Sequence, residues 1–368
     1  MVDDNLGMPA VRIVVIGVGG AGNNAVNRMI DEVGDTSPVD FYVMNTDVQS
    51  LLASKVVTAH QVVLGRELTN GLGAGGDPEL GKKAAEASAE EIRNIVRGAT
   101  MVFIAAGMGG GTGTGASPVI ARICKEEKAL TVAIVTRPFG FEGKQRVKKA
   151  IEGLGDLKDE VDSIIIVSND KLLMEKGNEM ISNAFMESDR VLAQSVKTIV
   201  DLITVPGIIN LDFADIRDTL KDSGIALIGY GMGEGPTKAL DAATAAINSP
   251  LLETPITGAR RAICAVTCGA NVSLYEAQEC VNHIIEEAGN AVDVKLGVSI
   301  NDQFSDQIIV SIIASDFPEE YDLTSKEEDE EEDNEVKFTP QSDNDKEEKD
   351  EEKDEDILPG FLKNKNIE

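Results

Sequence analysis

Two glycine runs carry the chemistry most readily read from this chain. Gly17-Val-Gly-Gly-Ala-Gly22 leads into Asn23-Asn24, and Gly109-Gly-Gly-Thr-Gly-Thr-Gly115 leads into an apolar stretch. Residues without a Cβ let the backbone turn tightly and approach a phosphate closely. A helix that starts behind such a turn adds free N–H groups and the positive end of its dipole. The first run is also a G-x-G-x-x-G, the fingerprint of dinucleotide sites. On that run alone the nucleotide stays open: a dinucleotide-dependent oxidoreductase, with Asp47 as its ribose-binding acid, remains in play. The second run shifts the reading, because Thr112 and Thr114 add hydroxyls able to donate to phosphate oxygens. Two such loops on neighbouring strands suit a di- or triphosphate. A third segment, Gly71-Leu-Gly-Ala-Gly-Gly-Asp77, is suited to close over a terminal phosphate. No G-x-x-x-x-G-K-[ST] is present, so the site is not of the Walker type.

The elements that must position these loops are legible in the hydrophobic pattern. Val11 to Ile16 is a β-branched run ending on Gly17, the texture of a strand buried on both faces. A helix from Asn23 to Val33 follows, then a strand Phe41 to Met44 ending at Asn45-Thr-Asp47. Asp77-Pro78 opens one long helix from Glu79 to Arg97. Met101 to Ala105 is the strand before the second glycine run, and Ser117 to Glu127 is the helix after it. Leu130 to Val135 and Ser163 to Val167 complete a strand–helix alternation that predicts an α/β, doubly wound, mostly parallel sheet. A long central helix, Ile181 to Leu202, comes next, followed by a turn at Pro206-Gly207. From Ala226 a smaller α+β domain is expected, with helices Thr237 to Ile247 and Leu274 to Ala288. Its strands, Arg261 to Val266, Val292 to Ile300 and Gln307 to Ile313, share one sheet. The expected boundaries are 1–180, 181–225, 226–318, 319–355 and 356–368.

Composition removes several classes of function. The chain has 368 residues, 42% of them hydrophobic, enough for one large or two ordinary domains. Aromatic content is 4% with no Trp, and the formal net charge is −30. Base-stacking platforms are therefore not expected, and nucleic acid and anionic membrane are disfavoured as direct partners. From Glu319 onward 22 acids stand against 7 lysines, half of the net charge in the last 50 residues. Lys326 to Glu355 cannot bury enough surface to offset the entropy of ordering and reads as a disordered acidic linker. Apolar residues return in Ile357-Leu-Pro-Gly-Phe-Leu362, the pattern of a short motif that folds on a partner. Cys124, Cys264, Cys268 and Cys280 form no C-x-x-C pair, so no metal site is expected and the thiols read as reduced and mostly buried, in a cytosolic protein. No signal peptide and no transmembrane helix are expected.

The run Gly109 to Gly115 resembles the signature loop of the tubulin/FtsZ GTPase family. Further motifs, in the order they occur, favour the FtsZ branch over tubulin. They are Gly17 to Asn24, Asn45-Thr-Asp47, Thr136-Arg-Pro-Phe-Gly-Phe-Glu-Gly-Lys144, Asn210-Leu-Asp-Phe-Ala-Asp215 and Ser249-Pro-Leu-Leu-Glu253. The resemblance runs from about Val11 to Phe317 and resumes in the last dozen residues.

That resemblance implies a GTP-hydrolysing polymer of bacterial cell division, cytoplasmic and gathered at mid-cell. It implies that Gly20, Ala21, Gly22, Asn23 and Asn24 bind the phosphates of GTP or GDP. The same holds for Gly109, Gly110, Gly111, Thr112, Gly113, Thr114 and Gly115. Ala74, Gly75 and Gly76 match the loop that senses the γ-phosphate. Glu142 and Arg146 match the ribose edge, Asp47 joins the nucleotide contacts, and Phe185 packs on the guanine. Where the family has Asn or Asp before Val191-Leu192 to read the base, Arg190 stands, with Asp189 before it. A guanidinium only donates, whereas guanine N1–H and N2–H need an acceptor. Asp189 is expected to take that role. Asn210, Asp212 and Asp215, which on their own read equally well as a helix cap, match the loop that enters the next subunit's pocket and polarises the attacking water. Mg2+ is the expected cation. The chain is expected to assemble head to tail, and its last residues to dock on membrane-tethering and regulatory division proteins.

Overall fold

The computed structural model describes residues 11–33, 39–175, 181–205, 207–249, 251–289, 291–301, 304 and 306–318. The acidic linker and the terminal peptide lie outside the described residues. The described residues all belong to one compact unit.

The amino-terminal half alternates strand and helix. β1 (Ile13–Val18) runs straight into α1 (Gly19–Val33), followed by β2 (Val39–Asn45) and the short α2 (Val48–Leu52). β3 (Gln61–Val63), α3 (Arg66–Thr69), α4 (Pro78–Ala87) and α5 (Ala89–Val96) come next. The single long helix expected from Glu79 to Arg97 is two, because the chain breaks at Ser88, whose hydroxyl accepts from the Gly65 amide. β4 (Met101–Gly107), α6 (Thr112–Glu126), β5 (Leu130–Arg137), α7 (Lys144–Glu160) and β6 (Ser163–Ser168) follow. Both α1 and α6 begin inside the glycine runs, several residues before the starts expected from sequence. Close packing of bare backbone overrides the low helix propensity of glycine there.

α8 (Asn169–Glu175) leads to α9 (Ile181–Thr204), 24 residues long. α10 (Phe213–Leu220), β7 (Gly224–Gly233), α11 (Lys238–Ile247), β8 (Arg261–Cys268), α12 (Leu274–Ala288), β9 (Asp293–Ile300) and β10 (Ile308–Ser315) complete the described chain. α12 carries a Ser273/Glu276 capping box and ends on the left-handed Gly289, so its sequence-read bounds match.

The ten strands of the described residues join in one sheet of order β3-β2-β1-β4-β5-β6-β7-β10-β8-β9. The strands from β3 to β7 pair in parallel. β7, which the pattern did not mark as a strand, is the joint: it pairs with β6 over three residues only and then continues antiparallel to β10. β10 pairs antiparallel with β8, and β8 lies parallel to β9. Alternate residues of β1 serve opposite faces. Val14 and Ile16 pack with α4 to α7, while Ile13 and Val15 pack with α1 and α9. Among the described residues no helix is long and apolar enough to cross a membrane.

Candidate functional site

β1 and β4 are neighbours in register, Gly17 opposite Ala105 and Val18 opposite Ala106. The two glycine runs therefore leave the sheet side by side at the carboxyl ends of adjacent strands, the ligand crevice of a doubly wound sheet. Their glycines are there for close approach. A Cβ on Gly22 would stand 2.1 Å from the Ala105 carbonyl oxygen, and one on Gly113 would stand 2.4 Å from that of Gly107. Gly20 and Gly110, by contrast, have no atom within 4 Å of that position. Bare backbone at the first turn of α1 and just before α6 is thus open on the ligand side, a cradle that side chains would fill. That geometry fits a chain of phosphates.

Side chains shape the cradle from behind. With its nitrogen turned inward, the buried Asn23 amide donates to the carbonyls of Gly17 and Gly19, both at 2.9 Å, and accepts from Asn45 at 3.2 Å. The two threonine hydroxyls expected at phosphate are already engaged within the protein. Thr114 Oγ1 accepts from the Gly109 amide at 2.8 Å, closing its own loop. Thr112 Oγ1 lies 2.7 Å from Thr46 Oγ1, joining the second run to the end of β2. Asp47 caps α2, accepting from the Gln49 amide and the Ser50 hydroxyl. The third loop packs on the second: a Cβ on Gly111 would meet Ala74 Cβ at 2.8 Å. Gly75 and Gly76 stand in the left-handed region, at φ 59° and 75°.

The far edge of the crevice is aromatic and charged. Phe185, 42% exposed on α9, meets the buried Phe139 edge-on at 5.0 Å and the exposed Phe141 at 6.4 Å. Glu142 accepts from the Phe139 amide and pairs with Arg146 at 2.9 Å. Asp189 faces α1, where the Asn24 amide and the Arg28 guanidinium both favour its charged form. Burial raises that carboxyl to about 6, with both neighbours pulling the other way. Arg190 is 65% exposed and lies 3.9 Å from Glu187 on the same helix. The structure brings Asp189, and not Arg190, to the first glycine run. Asn169, which the sequence reading passed over, follows β6 directly and is buried. Its side-chain amide oxygen accepts from the Ser188 hydroxyl at 2.7 Å, tying the end of β6 to the first half of α9. The signal was its position at a strand's carboxyl end.

Asn210, Asp212 and Asp215 lie elsewhere. Asp212 is the N-cap of α10 and Asp215 its reciprocal partner, with bonds of 2.8 and 3.2 Å. Lys295 of β9 reaches Asp215 at 3.4 Å. Asn210 accepts from the Gly207 amide, and Ile209 bridges to Val298 of β9. Among the described residues no hydrogen bond or ion pair joins this segment to the glycine loops. Phe185 and Asp189 lie near the start of α9, and the acidic segment follows its end. At 1.5 Å per residue the helix is about 36 Å long.

Residues 12–175 match the Tubulin/FtsZ family GTPase domain, and residues 224–318 match the FtsZ family C-terminal domain. An empty FtsZ dimer from M. jannaschii is 40% identical, covers 83% of this chain and 88% of its own, and superposes with a TM-score of 0.78. The chain belongs to the tubulin/FtsZ family. It is a GTPase, and its family binds guanine nucleotides. A tryptophan-to-tyrosine mutant of the M. jannaschii FtsZ is 39% identical, over 83% of this chain and 91% of its own, at a TM-score of 0.78. CetZ2 from Haloferax volcanii, a GTPgS-bound protofilament, shares the fold at 23% identity, 84% of this chain, 94% of its own and a TM-score of 0.71. With the family shown, the oxidoreductase reading of the first run falls away. In this FtsZ-family chain the described residues contain no group of three or more His, Cys, Asp or Glu side chains able to hold a metal ion.

Proposed function

We propose that this GTPase holds GTP in the crevice between β1 and β4 and hydrolyses it only where the Asn210–Asp215 segment of another copy closes that crevice. The observation that carries the reading is the separation along α9. Phosphate cradle and base edge sit by its first turns, and the acidic segment follows its last. Neither end offers a complete constellation alone. A contact that joins one end of a molecule to the other end of the next is heterologous and propagates into a filament. Exposed apolar side chains fit such a contact. Leu68 precedes and Leu72 lies in the third glycine loop, and Val205 and Ile208 precede the acidic segment.

In this reading the amides of α1, α6 and the third loop bind the phosphates, and Phe185 covers the base. Asp189 and Asn169 read the guanine edge, and Glu142 and Arg146 hold the ribose side. Asn210, Asp212 and Asp215 of the next copy position the attacking water and draw its proton. Positioning and electrostatics then supply most of the rate. Mg2+, when bound, would neutralise phosphate charge; Asp47 before the third loop and Asp77 at its end, each of which also caps a helix, would be the carboxylates to hold it. The filaments would build the division ring, and Ile357 to Leu362 would dock on membrane-tethering division proteins.

Asp212→Asn tests the split site, because Asn caps a helix as well as Asp does. The variant is expected to keep its melting temperature, to bind GTP and to sediment with it, and to lose at least a hundredfold in phosphate release. Parental turnover in that variant would remove the acidic segment from the chemistry.

A further inference from the structure

α7 touches three parts of the candidate site with one face. Arg146, Lys149 and Gly153 are spaced three and four residues apart, so they stack along the same side of the helix. Arg146 pairs with Glu142, and its carbonyl underlies Gly109, where a Cβ would stand 2.7 Å away. Gly153 lies under Thr114, where a Cβ would meet Thr114 Cγ2 at 2.2 Å. Between them, Lys149 Nζ donates to the carbonyl of Gly76 at 2.6 Å. α7 is therefore a strut seated on the second glycine loop, and Lys149 is its reach to the third.

The third loop needs such a hold. Gly71, Gly73, Gly75 and Gly76 all have positive φ, a conformation that glycine adopts freely and leaves as freely. The first half is tied to β2 and α2 through Gly73 N to Thr46 O and Val48 N to Gly71 O. The second half has two ties, and both hold the Gly76–Asp77 peptide. The Asp77 amide donates to Ala74 O at 2.9 Å, and Lys149 takes the Gly76 carbonyl. The amides of Gly75 and Gly76 make no hydrogen bond among the described residues, so two donors stand free on a peptide turn fixed at its far end.

We propose that Lys149 is a positioning residue that holds the Gly75 and Gly76 amides in place for the terminal phosphate, and so sets the preference of this chain for GTP over GDP. The proposal rests on the reading that the third loop faces the γ-phosphate. Lys149 acts through the Gly76 carbonyl. A diphosphate, which ends short of the loop, gains nothing from it.

The experiment compares the parent, Lys149→Met and Lys149→Arg in full-length protein. It measures GTP and GDP dissociation constants and the KM and kcat of phosphate release at saturating protein. Lys149→Met is expected to weaken GTP about tenfold, the scale of one charge-assisted hydrogen bond. GDP affinity should stay within about twofold, with the loss appearing in KM more than in kcat. Lys149→Arg, which keeps charge and donor, should restore most of the preference. Equal weakening of GTP and GDP, with a lower melting temperature, would mean α7 is only a structural support and would overturn the proposal. An unchanged ratio in Lys149→Met would overturn it too, while leaving the reading of the loop intact. If the parent itself shows no difference between GTP and GDP, the reading of the third loop fails first.

Discussion

At the scale of single residues, Asp189 shows a site built against stability. Burial raises its carboxyl to about 6 even though Arg28 and Asn24 favour the charge. A carboxyl raised above its unfolded value of about 4 holds a proton in the folded chain that the unfolded chain has released. Its stabilising contribution is full below about pH 4 and is lost as pH rises through about 6. Above that, the ionised group is a cost that the fold carries, and the proposed role of accepting from guanine N1–H and N2–H would be a reason to carry it. Asp189→Asn should therefore melt higher than the parent at pH 7.5 without nucleotide, with the gain vanishing towards pH 4. Its discrimination of GTP from ATP should fall about tenfold, because an amide accepts at one atom and not two. Parental GTP binding should weaken as pH drops below 6. Melting curves at two pH values and competition binding check all three. A variant that melts lower at pH 7.5 would mean that the favourable influence of Asn24 and of the Arg28 charge outweighs the burial.

At the scale of elements, the glycines divide into those that pack and those that stand open and are proposed to face phosphate, and the two kinds should fail differently. Gly115 lies under α4, where a Cβ would stand 1.9 Å from Pro78 O and 2.8 Å from Lys82 N, both backbone. Gly20 has open space and an ordinary φ. Gly115→Ala should cost about 3 kcal/mol of stability, since neither partner can move aside alone. Gly20→Ala should fold as well as the parent, and a methyl in the phosphate cradle should cut GTP affinity at least tenfold. Denaturant unfolding and nucleotide titration separate the two, and parental GTP affinity in Gly20→Ala would remove the first loop from the phosphates. This division marks what the sequence could and could not say. Buried parallel strands such as β1 and β4 were legible because both faces are apolar, and α12 because its caps are local. The starts of α1 and α6 were not, since glycine reads as a turn until a neighbouring strand is known to lie against it. β7 was missed for the same reason: Gly229, Gly231 and Gly233 interrupt its pattern, and each sits under α11, where a Cβ would stand 2.0 to 2.2 Å from a carbonyl oxygen. Asp189 and Arg190 are adjacent in sequence, and only the rotation of α9 decides which of them meets α1.

At the scale of the whole molecule, the question is whether one chain holds a complete catalytic site. On the proposed reading it does not, because α9 separates the acidic segment from the glycine loops, and a mixing experiment turns that reading into kinetics. Wild-type protein is held below the concentration at which it assembles, where its turnover should be near zero. Asp212→Asn protein, silent by itself, is then added in ninefold excess. In a self-contained enzyme nothing changes, because the added chains contribute no working acidic segment. In a split site the excess drives assembly, and every wild-type segment finds a pocket on a variant neighbour. About one junction in ten then carries a working segment, since in a head-to-tail array each copy gives one segment and one pocket. Phosphate release per wild-type chain should rise to nearly the value of a fully assembled wild-type filament, with an inactive protein as the activator. A rate that stays flat as the variant is added, while sedimentation shows both chains in one polymer, would return the acidic segment to its own molecule.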